Sequence, residues 1–202
     1  MSALTELYEE IKNCRKCEIA RYRTRVVPGE GAEDADIMFI GEAPGWHEDQ
    51  QGRPFVGPAG KFLDELLALI GLKREQVYIT NVIKTRPPEN RDPLPQEIVN
   101  CRPYLERQIA IIRPRMVATL GRYSMALFLP GKSIGKVHGT AEKRDGILYY
   151  AMYHPAAALH QQSLREVIKA DMLKIPGILM QAKNMPEVKP EPAPKQLSMF
   201  EV

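Results

Sequence analysis

The sequence predicts an α/β domain built on a mostly parallel sheet of four strands. Two observations predict it. Four short apolar runs of strand length alternate with segments whose apolar residues recur at helical spacing. Three of those runs end in polar or glycine-bearing residues, Gly41-Glu42, Asn81 and His154, as expected where ligands bind at strand carboxyl ends.

The elements follow in order. Leu4, Leu7, Tyr8 and Ile11 share one helical face, so residues 3–14 predict a helix that delivers Cys14 from its end. Ile37–Ile40 is the first buried strand and runs into a Gly/Pro loop. Residues 59–72 predict a helix closed by Gly71. "QVYITNVIK" (76–84) is the second strand, and residues 95–112 are a helix started by Pro95. "RMVATLG" (115–121) is the third strand, followed by a short helix from Ser124. "ILYYAMYHP" (147–155) is the fourth strand and ends in His154-Pro155. The last helix, residues 163–175, carries a capping-box pattern at Ser163 and Glu166. Beyond Pro176 the composition shifts. "KNMPEVKPEPAPK" (183–195) is rich in proline and charge and predicts an extended, disordered tail. The expected division is therefore a domain over 1–180 and a tail over 181–202.

The chain has 202 residues, 44% hydrophobic and 26% charged, with a net charge of +3. That suits one globular domain, and the mild basicity permits nucleic-acid binding without requiring it. No apolar run approaches the roughly 18 residues of a membrane span. The acidic, amphipathic N-terminus carries no apolar export stretch, so a cytoplasmic protein is expected. In that compartment Cys14, Cys17 and Cys101 suggest metal ligands, free thiols or core residues before disulfides. A Rossmann-type nucleotide enzyme is disfavoured, because no G-x-G-x-x-G loop follows the first strand.

Four separated blocks, in order, carry a family likeness: "GEAPGWHEDQQGRPFVGPAG" (41–60), "TNVIK" (80–84), "NRDP…CRPYL" (90–105) and "YHPAAAL" (153–159). Together they resemble the iron–sulfur uracil-DNA glycosylases, often called family 4, over roughly residues 4–180. The resemblance implies a three-layer α/β/α sandwich, a [4Fe–4S] cluster, and hydrolytic excision of uracil from single- or double-stranded DNA by a monomer in base excision repair. A sister branch that captures uracil sites covalently resembles "GEQPG" in the first block and has a basic insertion ending in a histidine. Here Ala43 replaces that Gln, and Lys84 runs directly into "TRPPENRDP". Hydrolysis is therefore the expected activity. The alternative is a catalytically weak or covalent uracil-site binding protein of the same superfamily.

The chemistry suits these residues. A base must leave the stack before its glycosidic bond is reached. Phe55 is the expected stacking face, or else a core residue. Asn81 is the expected edge reader: a carboxamide donates to uracil O4 and accepts from N3–H, whereas cytosine presents the reverse pattern. His154 is the expected donor to O2, where negative charge develops as uracil leaves. Glu42 is expected to position water and balance the sugar cation, because the better-known glycosylases' aspartate position is Ala43 here. Gly41, Ala43 and Gly45 shape the loop against the base. Glu48 guards the C5 side against a methyl group, or with Asp49 forms a solvated loop. His47, His138 and His160 have weaker claims, and His138, in "GKVHGT", lies in a glycine-flanked loop expected to face DNA. Lys84, Arg86, Arg91, "GKSIGK" (131–136), His160 and the helix opened by "GPAGK" are expected to meet phosphates.

Cys14, Cys17 and Cys101 stand at the family's ligand positions, but the fourth cysteine position is Thr85. The site therefore holds [4Fe–4S] with Thr85, water or another group at one corner, or [3Fe–4S], or a damaged cluster; zinc is the rival metal. Finally, "QLSMF" (196–200) resembles the bacterial sliding-clamp pentapeptide, with Gln196 in a polar pocket and Leu197, Met199 and Phe200 in apolar ones. The rival reading is an apolar end packed on the domain.

Overall fold

The computed structural model describes residues 2–183. The tail motif residues Gln196, Leu197, Met199 and Phe200 lie outside them.

Six strands form one sheet: β1 (Glu30–Gly31), β2 (Ile37–Gly41), β3 (Tyr78–Asn81), β4 (Met116–Leu120), β5 (Ala141–Arg144) and β6 (Ile147–Met152), in the order β1-β3-β2-β4-β6-β5. The inner four are the expected strands, and they are parallel. The expected count of four is corrected to six by antiparallel edges at β1 and β5. Neither edge has an apolar run to announce it: β1 is two residues and β5 reads AEKR. The β5–β6 turn did leave a signal, since Asp145 and Gly146 both take positive φ, as a two-residue Asp-Gly hairpin requires. The second strand is shorter than expected. After Asn81 the chain leaves the ladder, and Val82 N–H and Ile83 N–H turn onto the carbonyls of Gly41 and Glu42.

The helices are α1 (Ala3–Asn13), α2 (Trp46–Gln51), α3 (Pro58–Leu69), α4 (Pro95–Ile112), α5 (Arg122–Phe128), α6 (Ile134–Val137), α7 (Ala157–His160) and α8 (Ser163–Lys183). Strand side chains alternate between two faces. Met38, Ile40 and Val117 face α1 and α4 through Leu7, Ile11 and Leu105. Ile37, Phe39 and Ala118 face α3 and α8 through Phe62, Leu66 and Met172. The result is the expected three-layer α/β/α sandwich.

Two helix ends differ from expectation. Ser163 is the first helical residue, and its hydroxyl accepts from the Gln161 amide instead of capping. The helix also continues through Pro176. An interior proline costs about 3 kcal/mol. Ile175 is fully buried one residue before it, and Ile178 and Leu179 pack on the same core after it. Burial of that order offsets the proline. Among the described residues no helix is long and apolar enough to cross a membrane.

Candidate functional site

A cleft of about 440 Å3 opens at the carboxyl ends of β2, β3 and β6, within the roughly 300–1,000 Å3 range of small-ligand sites. Glu42, Ala43, Glu48, Phe55, Asn81 and His154 all line it, together with Gly45. Residues more than 100 positions apart thus meet because three parallel strands end side by side.

Asn81 ends β3 and is 2% exposed. Its Oδ1 is buried and has no hydrogen-bond partner within the chain. Leaving a buried acceptor unpaired costs about 1–3 kcal/mol, so the atom is held ready for a donor from elsewhere. Its backbone is fixed from below. Lys84 Nζ donates to Asn81 O, to Thr80 Oγ1 and to Gln108 Oε1, each at 2.7 Å. Lys84 is fully buried, and that burial pushes its ammonium down to about 7. It therefore cannot meet a DNA phosphate, and the sequence expectation for it is corrected: it braces the strand end that carries Asn81.

Phe55 is a core residue that also borders the cleft. It is 5% exposed within the α3–α8 core, and its ring also lines the cleft. The ring lies 5.5 Å from that of His154, 28° from parallel. Gly41 is small for a reason: a Cβ there would come within 2.5 Å of Phe55 Cζ. Phe55 adopts φ +52°, a left-handed conformation that costs an L residue about 1–2 kcal/mol. Its carbonyl presses on α3 where Gly60 has no Cβ; one there would sit 1.9 Å from Phe55 O.

Glu48 holds the loop that follows. Its Oε1 accepts from Val56 N–H at 2.8 Å and Gly57 N–H at 2.9 Å, and its Oε2 accepts from Gly45 N–H at 3.0 Å. A Cβ on Gly45 would meet Oε2 at 2.8 Å. Glu48 lines the cleft, but its oxygens are committed to the backbone. Asp49 is not solvated: it is 3% exposed and accepts from the N–H groups of Thr24 and Arg25.

His154 follows β6. Ala156 N–H donates to its Nδ1 at 3.1 Å, so the neutral ring carries its proton on Nε2. Desolvation pushes the imidazole down to about 4, against a smaller upward pull from Glu48. His154 is thus a neutral donor at physiological pH. Glu42 is pushed up to about 6, first by burial and next by Asp92, with Arg122 opposing. It is a carboxylate above that pH.

Of the other basic candidates, Arg91 and His160 line the cleft. Arg91 also forms a two-pronged pair with Glu97. Arg86 bonds Asn90, and Lys132 pairs with Glu142. His138 turns inward to Asp171, Nδ1 to Oδ2 2.7 Å, and packs on Tyr153. His47 packs against Trp46, away from the cleft lining.

A second cavity brings together Cys14, Cys17, Cys101 and Thr85 with Arg23 and Tyr104. All three cysteines are free. Asn100 Nδ2 donates to Cys17 Sγ at 3.2 Å, and Arg23 Nη1 donates to Thr85 Oγ1 at 3.3 Å. Burial pushes the Cys101 thiol up. Among the described residues no three His, Cys, Asp or Glu side chains converge on a single ion. The three thiols and Thr85 border one shared cavity and would be the donors for any metal or cluster held there.

The profile of the uracil DNA glycosylase superfamily matches residues 28–174. The type-4 uracil-DNA glycosylase of Sulfurisphaera tokodaii is 46% identical over 194 residues, covering 91% of this chain and 88% of its own. That of Archaeoglobus fulgidus is 46% identical, covering 87% of this chain and 92% of its own. That of Saccharolobus solfataricus is 48% identical, covering 87% and 86%.

Proposed function

The chain belongs to the uracil-DNA glycosylase superfamily, and from that premise we propose how its cleft excises uracil. The enzyme hydrolyses the N-glycosidic bond of a flipped-out deoxyuridine in DNA and leaves an abasic site. The observation that carries the proposal is the buried, unpartnered Asn81 Oδ1 in a cleft shared with Phe55 and His154.

Uracil stacks on Phe55. Its N3–H supplies the donor that Asn81 Oδ1 lacks, and Asn81 Nδ2 donates to O4. Cytosine has an acceptor at N3 and leaves Oδ1 unpaired, which is how such sites reject the wrong base. As the bond lengthens, charge collects on O2 and the Nε2–H of His154 stabilises it. The departing base leaves an oxocarbenium-like sugar. That cation needs little help from a base, so the Glu42 carboxylate positions water and offsets the positive charge. Gly41, Ala43 and Gly45 keep the loop close to the base, and Glu48 holds the loop's shape. Arg91, His160 and the N-terminus of α3 are the phosphate-side candidates.

Cys14, Cys17 and Cys101 would hold an iron–sulfur cluster, with Thr85, water or another group at its fourth position. When bound, the cluster supplies thiolate–iron cross-links between the end of α1 and α4; hydrolysis itself needs no electron transfer. The C-terminal "QLSMF" segment tethers the enzyme to a sliding clamp and raises its effective concentration at new DNA. Three free cysteines and a DNA substrate are in keeping with a cytoplasmic enzyme.

Uracil-bearing oligonucleotides incubated with the protein and then heated in alkali test the activity. Scission at the uracil position is expected. An uncut strand in a shifted or covalent complex would favour the binding alternative.

A further inference from the structure

We infer that Arg74 is a positioning residue for the uracil-stacking ring, holding Phe55 in its left-handed conformation from outside the cleft. The inference rests on the reading of Phe55 as the stacking face.

Three consecutive peptide units around Phe55 are gripped from two sides. Glu48 accepts the N–H groups of Val56 and Gly57 on the cleft side. Arg74 takes the carbonyls on the other side: Nη1 donates to Phe55 O at 3.0 Å and Nη2 to Pro54 O at 2.6 Å. The remaining donors fix the guanidinium itself. Nε and Nη2 reach Glu30 Oε1 at 3.0 and 2.5 Å, and Nη1 reaches Asp64 Oδ1 at 2.9 Å. Glu30 in turn accepts from Arg53 Nε at 2.7 Å. Glu30 lies on β1, whose register against β3 sets its place. The short edge strand therefore has a purpose in the site: it carries the counter-ion that aims Arg74.

Only a planar fork with several donors meets two carbonyls and a carboxylate together; an ammonium on a flexible stem does not. The Arg74 side chain is 15% exposed, so these bonds are largely shielded from water. Neither Arg74 nor Glu30 lines the cleft. Loss of Arg74 frees the Pro54 and Phe55 carbonyls and lets the strained residue relax, which moves the ring away from Gly41 and His154. A small displacement of a positioning group can cost up to about 100-fold in rate.

The test measures kcat, KM and inhibition by free uracil for Arg74→Met, Arg74→Lys, Phe55→Ala and Arg74→Met/Phe55→Ala, with melting temperature alongside. We expect Arg74→Met to lower kcat about tenfold or more and to weaken uracil inhibition in a chain that still melts cooperatively. Arg74→Lys should not restore either. In the Phe55→Ala background, removing Arg74 should cost little more, because the ring it aims is gone. Losses that multiply in the double variant, or an Arg74→Met enzyme within twofold of the parent, overturn the inference. If Phe55→Ala keeps full activity and uracil inhibition, the stacking reading itself fails, which is a different result. Should Arg74→Met not fold, Glu30→Gln replaces it. A weaker loss of the same kind supports the inference, and unchanged kcat and uracil inhibition contradict it.

Discussion

Gly41 and Asn81 are register partners at the carboxyl ends of β2 and β3, and the space between them admits no methyl group. A Cβ on Gly41 would lie 2.4 Å from Asn81 Oδ1. Gly41→Ala must therefore displace the carboxamide or the Phe55 ring. We expect a large loss of excision from a chain that still folds. Asn81→Ala should lower kcat/KM on uracil roughly 10²–10³-fold, the usual cost of removing one preorganised polar group. Steady-state kinetics on a single-uracil oligonucleotide check both.

His154→Ala should lower kcat by a similar factor, about 3 kcal/mol, and leave KM nearly unchanged, because the bond to O2 strengthens only as charge develops. The parent ring is neutral down to about pH 4. No loss of rate should therefore appear as pH rises through 6.5, where an ordinary histidine would lose its proton.

Glu42 sets the acid limb. Its carboxyl is pushed up to about 6. Below that pH it is protonated and can neither orient water nor offset the sugar cation. The rate should rise with pH through about 6 along one ionisation and then level. Glu42→Gln should remove that limb and lower the plateau. A limb that persists in the variant would assign the ionisation elsewhere.

Thr85→Cys supplies a fourth thiol to the cavity shared by Cys14, Cys17 and Cys101. After anaerobic reconstitution with iron and sulfide, its visible absorbance per chain and its melting temperature should exceed the parent's. Uracil selectivity should not change. Equal absorbance and melting temperature would remove Thr85 from the fourth corner.

Deleting residues 196–202 should abolish retention on an immobilised sliding clamp and leave excision from naked DNA intact. Loss of both would make the segment part of the folded domain.

The inner sheet and its helices were legible because strand runs and helical stripes are local apolar patterns. Asn81 and His154 were legible for a related reason: each ends such a run, and parallel strand ends converge. Long-range polar partners were not. Arg74 meets Phe55 across 19 positions and Glu30 across 44, and no local spacing announces either. Lys84 was misread because a lysine after a strand is ordinarily solvated, whereas here Thr80, Asn81 and Gln108 together satisfy a buried ammonium. Asp49 and Glu48 looked like loop charge, but their partners are backbone N–H groups that sequence does not reveal.

The most direct test of the site follows the released base. Duplex DNA carrying radiolabelled uracil is incubated with the parent chain and with Asn81→Ala, and free uracil is counted against abasic sites. The parent should release one uracil for each abasic site, with multiple turnovers, while Asn81→Ala releases almost none. Label that stays in the DNA or on the protein, or equal release by both chains, would contradict the account.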